Sequence, residues 1–237
     1  MKTPITYYGG KQTLADIIIS MFPQHKIYCE LYFGGGAVFF RKNKSYLEVI
    51  NDINNKLINF YDVTQNNFQQ LKTLIDQTLN SESQYLHAKD VWNDRIVADS
   101  IVNAWAIWLI TNGSFGGSMH GGWKWSNGSQ GSHTGIYLEN KREHFSKAIH
   151  NRLKNVQISC RDALKVIPER DTEDTLFYLD PPLSWELSRT LYRVFSQRFI
   201  SSARDAFNNQ RKVYSISVYV SYFKILHNKT GLELQVD

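Results

Sequence analysis

The stretch that most narrows what this chain can fold into lies between Ile27 and Asp52. Ile27–Leu31 reads as a strand, and Gly34–Gly36 follow it as an unbroken triple glycine. Ala37–Phe40 then reads as a helix start and Tyr46–Ile50 as a second strand, with Asp52 just beyond. Strand, glycine turn, helix, strand and terminal acid is the order in which a Rossmann-like sheet holds a nucleoside. The glycines let the backbone approach the ligand, and the carboxylate accepts hydrogen bonds from ribose hydroxyls. The spacing is not the G-x-G-x-x-G of a dinucleotide site, and no lysine follows as in a phosphate loop. Three glycines alone fit an ordinary turn equally well; the flanking strands and Asp52 favour the nucleoside reading.

The remaining pattern is α/β with a large interruption. Near the N-terminus, Tyr7–Lys11 (YYGGK) places a Gly-Gly turn and Lys11 ahead of an amphipathic helix, with Leu14, Ile17, Ile18 and Met21 as its expected buried face. Asn54–Leu79 has helical periodicity, Ser81–Asp99 is polar, and Ile101–Ile110 is apolar nearly all round. That last run is too short for a membrane span and reads as a buried helix, with Trp105 and Trp108 in the core. Thr111–Gly135 is rich in Gly, Ser and Asn, has no acidic residue, and carries Trp123, Lys124 and Trp125 at its middle. Such a segment cannot build its own core, so a long loop or hairpin is expected. Its amides, hydroxyls and Lys124 suit a nucleic-acid surface, although a plain flexible insertion would share the composition. Lys141, Arg142, Lys147, Arg152 and Lys154 form a basic flank that a solvated helix face would also show.

The α/β pattern resumes at Val156–Ser159, a strand ending in Cys160-Arg161-Asp162, followed by a helical turn over Ala163–Ile167. A very apolar strand, Thr175–Leu179, then runs into Asp180-Pro181-Pro182-Leu183. Beyond it a helix is expected over 201–208, a strand over 212–220, a helical stretch over 222–227 and a final strand over 232–236. Residues 1–58 and 155–237 thus read as one α/β domain, and 59–154 as a mainly helical insertion. The net charge of +5 favours an anionic partner. Two cysteines exclude a disulfide framework and a four-cysteine metal site, and no His/Cys cluster suggests any metal. Nothing resembles a signal peptide or a membrane span, so a cytoplasmic setting is expected.

The Asp-Pro-Pro segment has a chemical logic. Prolines fix the backbone after the strand, so a main-chain carbonyl and the Asp180 carboxylate can both face one exocyclic amine. Two such acceptors draw the nitrogen lone pair out of ring conjugation and make it a nucleophile toward an activated methyl.

Together these segments resemble the Dam-type (D12 class, alpha group) DNA adenine-N6 methyltransferases, S-adenosylmethionine-dependent enzymes of Rossmann-like fold. YYGGK matches the family's N-terminal cofactor motif, with Tyr7 and Lys11. ELYFGGG stands where the family has E-P-F-x-G-x-G, keeping Glu30, Gly34 and Gly36, with Leu31 and Tyr32 in place of proline and phenylalanine. INDIN places Asp52 at the cofactor ribose, and CRD places Asp162 at its adenine end. NGSF, Asn112–Phe115, is similar to part of the target recognition domain, where Asn112, Gly113, Ser114, Phe115, Trp123, Lys124, Lys141 and Arg142 would meet DNA. DPPL, Asp180, Pro181, Pro182 and Leu183, stands where the family has D-P-P-Y.

The resemblance implies methyl transfer to adenine N6 in double-stranded DNA, with the base flipped into a pocket between the glycine loop and Asp180. It also implies a monomer or weak dimer, bacterial or phage-encoded, with a cognate restriction nuclease as a partner. Leu183 is the departure. The family aromatic stacks on the flipped adenine, a contact worth about 1–3 kcal/mol, and leucine has no π face. A catalytically impaired relative that keeps DNA and cofactor binding is the alternative, as is methylation of another base amine or of RNA.

Overall fold

The computed structural model describes residues 1–127 and 133–181. Its centre is a sheet of four parallel strands: β1 (Ile27–Glu30), β2 (Leu47–Asn51), β3 (Gln157–Ser159) and β4 (Thr175–Tyr178). Their order is β3-β2-β1-β4. The register runs Ile27 beside Leu47 and Thr175, and Val49 beside Gln157. The chain therefore steps outward from β1 through β2 to β3, then returns across β1 to lay down β4. That reversal is a topological switch point, and ligands of open α/β sheets bind at the carboxyl ends of the strands flanking one. Here the flanking strands are β1 and β4.

Parallel strands are covered on both faces, so their residues are apolar in both parities. Cys29, Val49 and Phe177 pack on α9 (Ala163–Arg170) through Val166 and Ile167. Tyr28, Ile50, Leu176 and Tyr178 point the other way, into a larger core. That core takes in α1 (Ala15–Ser20), α2 (Ala37–Arg41) and the six helices between β2 and β3. These are α3 (Asn55–Asn66), α4 (Phe68–Asp76), α5 (Glu82–Trp92), α6 (Ser100–Gly113), α7 (Thr134–His144) and α8 (Lys147–Leu153). One continuous core thus joins the sheet to the helices that interrupt it. As expected, Trp105 and Trp108 lie in it, at 8% and 0% exposure.

Two local expectations are corrected, and the polar segment between them takes a definite structure. The face that α1 buries is Ala15 and Ile18, whereas Leu14, Ile17 and Met21 are 41%, 59% and 46% exposed. The helix has only six residues, so one turn touches α2 and the outer apolar positions stay uncovered by any described residue. The polar Ser81–Asp99 segment contains a full helix, α5, capped by the Ser81 hydroxyl, which accepts from the Gln84 N–H. Its S-x-x-Q sequence is a capping signature. The helical run over 54–79 is split into α3 and α4 at Asn67, whose backbone leaves helical geometry.

Arg152, expected in a solvated basic flank, is instead buried in an ion cluster. Its guanidinium meets both oxygens of Glu48, with Nη2 at 2.8 Å from Oε1, and lies 3.6 Å from the centroid of the Phe39 ring. Lys42 donates to Glu48 Oε1 at 2.5 Å, and all three side chains are 3–6% exposed. Burial alone pushes the Glu48 carboxyl up, but Arg152 and Lys42 together outweigh it and hold the group below the usual carboxylate range. The cluster ties α8 and the end of α2 to β2. Breaking an isolated buried pair costs about 3–5 kcal/mol; removing Arg152 leaves Glu48 with Lys42, so the upper part of that range is not reached. Arg152→Ala is therefore expected to lower the unfolding free energy by about 2–3 kcal/mol in urea denaturation; a loss within the scatter of an ordinary surface change would mean that the cluster is not a structural tie.

Candidate active site

The residues after β1, β2, β3 and β4 converge on the carboxyl edge of the sheet. After β1, Gly34 and Gly36 take left-handed φ values of 50° and 66°. Gly36 opens α2 from this conformation. The middle glycine is fixed by crowding: a Cβ on Gly35 would lie 2.8 Å from the Cβ of Tyr7. A Cβ on Gly36 would lie 2.5 Å from the Phe33 ring. The close approach that demands glycine here is thus made by the chain's own Tyr7 and Phe33. The Tyr61 hydroxyl, buried beneath, donates to the Gly34 carbonyl at 2.8 Å.

Asp52 clasps this loop from the neighbouring strand. Its Oδ2 accepts from the Gly34 N–H at 2.9 Å and its Oδ1 from the Asn54 N–H at 3.0 Å. Burial raises the carboxyl above its ordinary value, against the backbone N–H groups that favour the anion. Each carboxylate oxygen keeps acceptor capacity beyond its one bond. Tyr7 and Tyr32 sit close enough that the Asp52 charge adds to burial in pushing both phenols up to about 12. Tyr32 also senses Asp162, which caps α9 by accepting from the Leu164 N–H at 2.9 Å. Two half-buried rings and two carboxylates from three strand ends therefore share one neighbourhood.

Asn51 was not singled out by the sequence reading, yet it ties these ends together. Fully buried, it donates to the carbonyls of Leu31 and Arg161 at 3.1 and 2.9 Å. It accepts from the Ser159 hydroxyl and the Arg161 N–H at 2.6 and 3.0 Å. All four hydrogen-bonding positions of its amide are used. An amide at the end of a buried strand, one residue before the acid, is the sequence signal that could have found it.

Across the switch point stands Asp180, just past β4. The Tyr7–Gly10 turn, closed by Gly10 N–H to the Tyr7 carbonyl at 3.0 Å and bent at Gly9 (φ 76°), delivers Lys11 to it. Lys11 Nζ lies 2.5 Å from Asp180 Oδ2 and 3.1 Å from the Gly9 carbonyl. Among the described residues, Asp180 Oδ1 has no hydrogen-bond partner. Pro181 is buried behind it, and Pro182 and Leu183 lie outside the described residues.

Glu30, at the end of β1, is 3% exposed and accepts from the Tyr28 hydroxyl at 2.7 Å. Burial pushes its carboxyl up to about 8; the Tyr28 bond opposes this, the Asp180 charge adds to it, and Lys42 opposes it. Glu30 thus underlies the site from within the core.

The expected DNA-contacting residues separate into two groups. Asn112 is corrected to a buried strut, because α6 continues through Gly113 and carries it inward. It is 1% exposed, accepts from the backbone and hydroxyl of Thr6 at 3.1 and 3.0 Å, and donates to Trp108 and Pro4 carbonyls. Ser114 is buried likewise, bridging to Trp123 in a short antiparallel pair, while the Gly113 carbonyl accepts from the Lys124 N–H at 2.7 Å. Phe115 and Trp125 stand 52% and 59% exposed on the resulting hairpin. Lys124 and Lys141 meet over the Tyr137 ring, and Arg142 donates to the Thr78 carbonyl. No group of three or more His, Cys, Asp or Glu among the described residues could hold a metal, and no described helix is long and apolar enough to cross a membrane.

Glu30 generates a pH prediction. An acid whose folded value lies above its ordinary one holds an extra proton in the folded state between the two, here from 4.5 to about 8. Stability falls as pH rises through that window. Denaturant unfolding at pH 5 and pH 8 should show a larger fall in the unaltered chain than in Glu30→Gln; parallel profiles would mean that Glu30 is ionised in place.

A family model described as D12 class N6 adenine-specific DNA methyltransferase matches residues 7–233. The DNA N-6-adenine-methyltransferase of Escherichia phage P1 is 36% identical over 95 residues, covering 38% of this chain and 12% of that protein. The chain therefore spans only a small part of that relative's length. The sheet order, the glycine loop clasped by Asp52, and Asp180 across the switch point agree with the matched family's Rossmann-like fold. The chain belongs to the D12 class N6 adenine-specific DNA methyltransferase family.

Proposed function

We propose that the chain transfers a methyl group from S-adenosylmethionine to adenine N6 in double-stranded DNA. The observation that carries this is the placement of Asp180 across the switch point from the glycine loop and Asp52. The donor set suits the cofactor: Asp52 has lone pairs left for ribose hydroxyls, and Tyr7 and Tyr32 flank it with apolar ring surface. Glu30, Gly34, Gly36 and Asp162 complete that side. When bound, the sulfonium supplies an electrophilic methyl carbon.

The chain's own part is to prepare the amine and to take its proton. Asp180 Oδ1 accepts one N–H of the flipped base, while Lys11 holds Oδ2 and so fixes the carboxylate's rotation. A main-chain carbonyl beside Pro181 accepts the other N–H, leaving the lone pair directed at the methyl. Transfer forms an N–C bond, breaks the donor's S–C bond and releases one proton from nitrogen, for which Asp180 is the acceptor this site offers. Residues 59–154, with the hairpin around Trp123 and Lys124, are assigned to target recognition.

A second reading is favoured by one residue. Leu183 cannot stack on an extruded adenine, so a DNA- and cofactor-binding relative without turnover is the competing case. Incubation of duplex DNA with labelled methyl donor, followed by nucleoside identification, decides between them. The expected product is N6-methyladenine. Asp180→Asn should lower its formation by at least about a hundredfold with the circular dichroism unchanged. Leu183→Tyr should raise it by roughly ten- to a hundredfold. No product from the unaltered chain and recovery in Leu183→Tyr would establish the second reading; label on cytosine would reassign the substrate.

A further inference from the structure

A second constellation lies one residue from the cofactor-side Tyr7, and its hydrogen bonding can be assigned almost completely. Asn112 Oδ1 accepts from both the backbone N–H and the hydroxyl of Thr6. The single Thr6 hydroxyl proton is therefore committed to Asn112. The Tyr137 hydroxyl, 2.9 Å from Thr6 Oγ1, must then be the donor to it, and Lys141 Nζ donates to the same oxygen at 2.9 Å. Thr6 is saturated as one donor and two acceptors.

Lys141 is left with two N–H groups that have no hydrogen-bond acceptor among the described residues. Its ammonium also lies 5.4 Å from the Tyr137 ring centroid, and Lys124 Nζ lies 4.1 Å from the same centroid. A third cation, Lys2, is near enough to act on Lys141 electrostatically. No described carboxylate pairs with any of the three. Two cations beside one tyrosine ring, one of them half-buried and rigidly held, are a repulsive arrangement unless an anion joins them.

We propose that Lys141 and Lys124, organised by Thr6 and Tyr137, form a single pocket for a backbone phosphate of the bound DNA strand. The occupant has to be a compact oxyanion, because the free donors are N–H groups on point-like ammoniums. Strand phosphate is favoured over free phosphate by position. Lys124 belongs to the exposed hairpin with Trp125, and Thr6 leads directly to Tyr7 and the glycine loop. The proposal rests on the chain acting on DNA, and it adds which residues hold the strand beside the chemistry.

The titratable and charged groups around Lys141 are Lys2, Lys124, Tyr137 and His144, the last bonded to the Lys2 carbonyl at 3.0 Å. Burial, then Lys2 and Lys124, bring the Lys141 ammonium down to about 8. A phosphate in the pocket favours the charged form, so binding near pH 8 takes up protons.

The test is equilibrium binding of a duplex lacking any preferred site, measured by fluorescence anisotropy over a range of sodium chloride. Lys141→Met and, separately, Lys124→Met should each reduce the slope of log affinity against log salt by about one. They should weaken binding by on the order of tenfold at about 0.1 M salt. Lys141→Arg should keep the slope, and calorimetry in two buffers of different ionisation enthalpy at pH 8 should show proton uptake that Lys141→Met lacks. Unchanged slopes in both Met variants, with melting temperatures confirming their folding, overturn the proposal. So does stabilisation by inorganic phosphate that Lys141→Met abolishes while its DNA slope stays unaltered, since that assigns the pocket to a free anion. Absence of duplex binding by the unaltered chain also overturns it. Because this readout needs no turnover, a chain that binds as predicted but fails to methylate rejects only the catalytic reading.

Discussion

The hydrogen bond from the Gly34 N–H to the Asp52 carboxylate is the contact on which the rest of the site depends. It fixes the first left-handed glycine of the loop to the end of a different strand, so the loop cannot move independently of the sheet. Tyr7 can then lie against Gly34 and Gly35 because no side chain intervenes, and Lys11, four residues on, is carried to Asp180. The acid after β2, an N-terminal turn and a residue after the far strand are thereby coupled through a sequence of short contacts. Were Asp52 replaced by an apolar residue, Gly34 would lose its acceptor and Tyr7 its firm bed together.

The site also shows how buried polar groups are afforded near a reactive edge. Asn51 satisfies four positions at once, so its amide serves as a rivet between strands that hydrogen bonding within the sheet alone would leave free at their ends. Glu48 is surrounded by two cations and stays ionised. Glu30, on the same sheet and with only Tyr28 as a side-chain partner, is driven toward the neutral form. The contrast lies in the partners, since both carboxylates are buried. Below Asp180 a neutral Glu30 avoids placing a second negative charge under that carboxylate.

Much of the sheet could be read from the residues because LFYL and IYC are apolar in both parities, as strands covered on two faces must be. Asp52, the glycine loop and Asp180 were recognisable for the same reason, each being fixed by its position at a strand end. What escaped depended on tertiary placement. Whether Asn112 faces solvent or core turns on where α6 stops, and an apolar helix with no capping glycine at Ile110 gives no local sign of continuing to Gly113. Arg152 looks identical to Lys147 and Lys154 in a basic run, yet only Arg152 finds Glu48 beneath it. The short α1 misled in the opposite sense, since periodicity marks an apolar face but does not say how much of it finds a neighbour. Asn51 and Tyr61 matter through hydrogen bonds to backbone atoms, which leave little trace in a residue pattern.

Whether the loop clasped by Asp52 is a nucleoside site decides what the sheet edge is for. Isothermal titration of the chain with S-adenosylhomocysteine measures this without requiring DNA or turnover. Saturable one-to-one binding that Asp52→Ala reduces by at least about tenfold, the worth of roughly one hydrogen bond to a charged group, is the predicted result, with the circular dichroism of both proteins alike. No binding by the unaltered chain, or binding indifferent to Asp52→Ala, would contradict it.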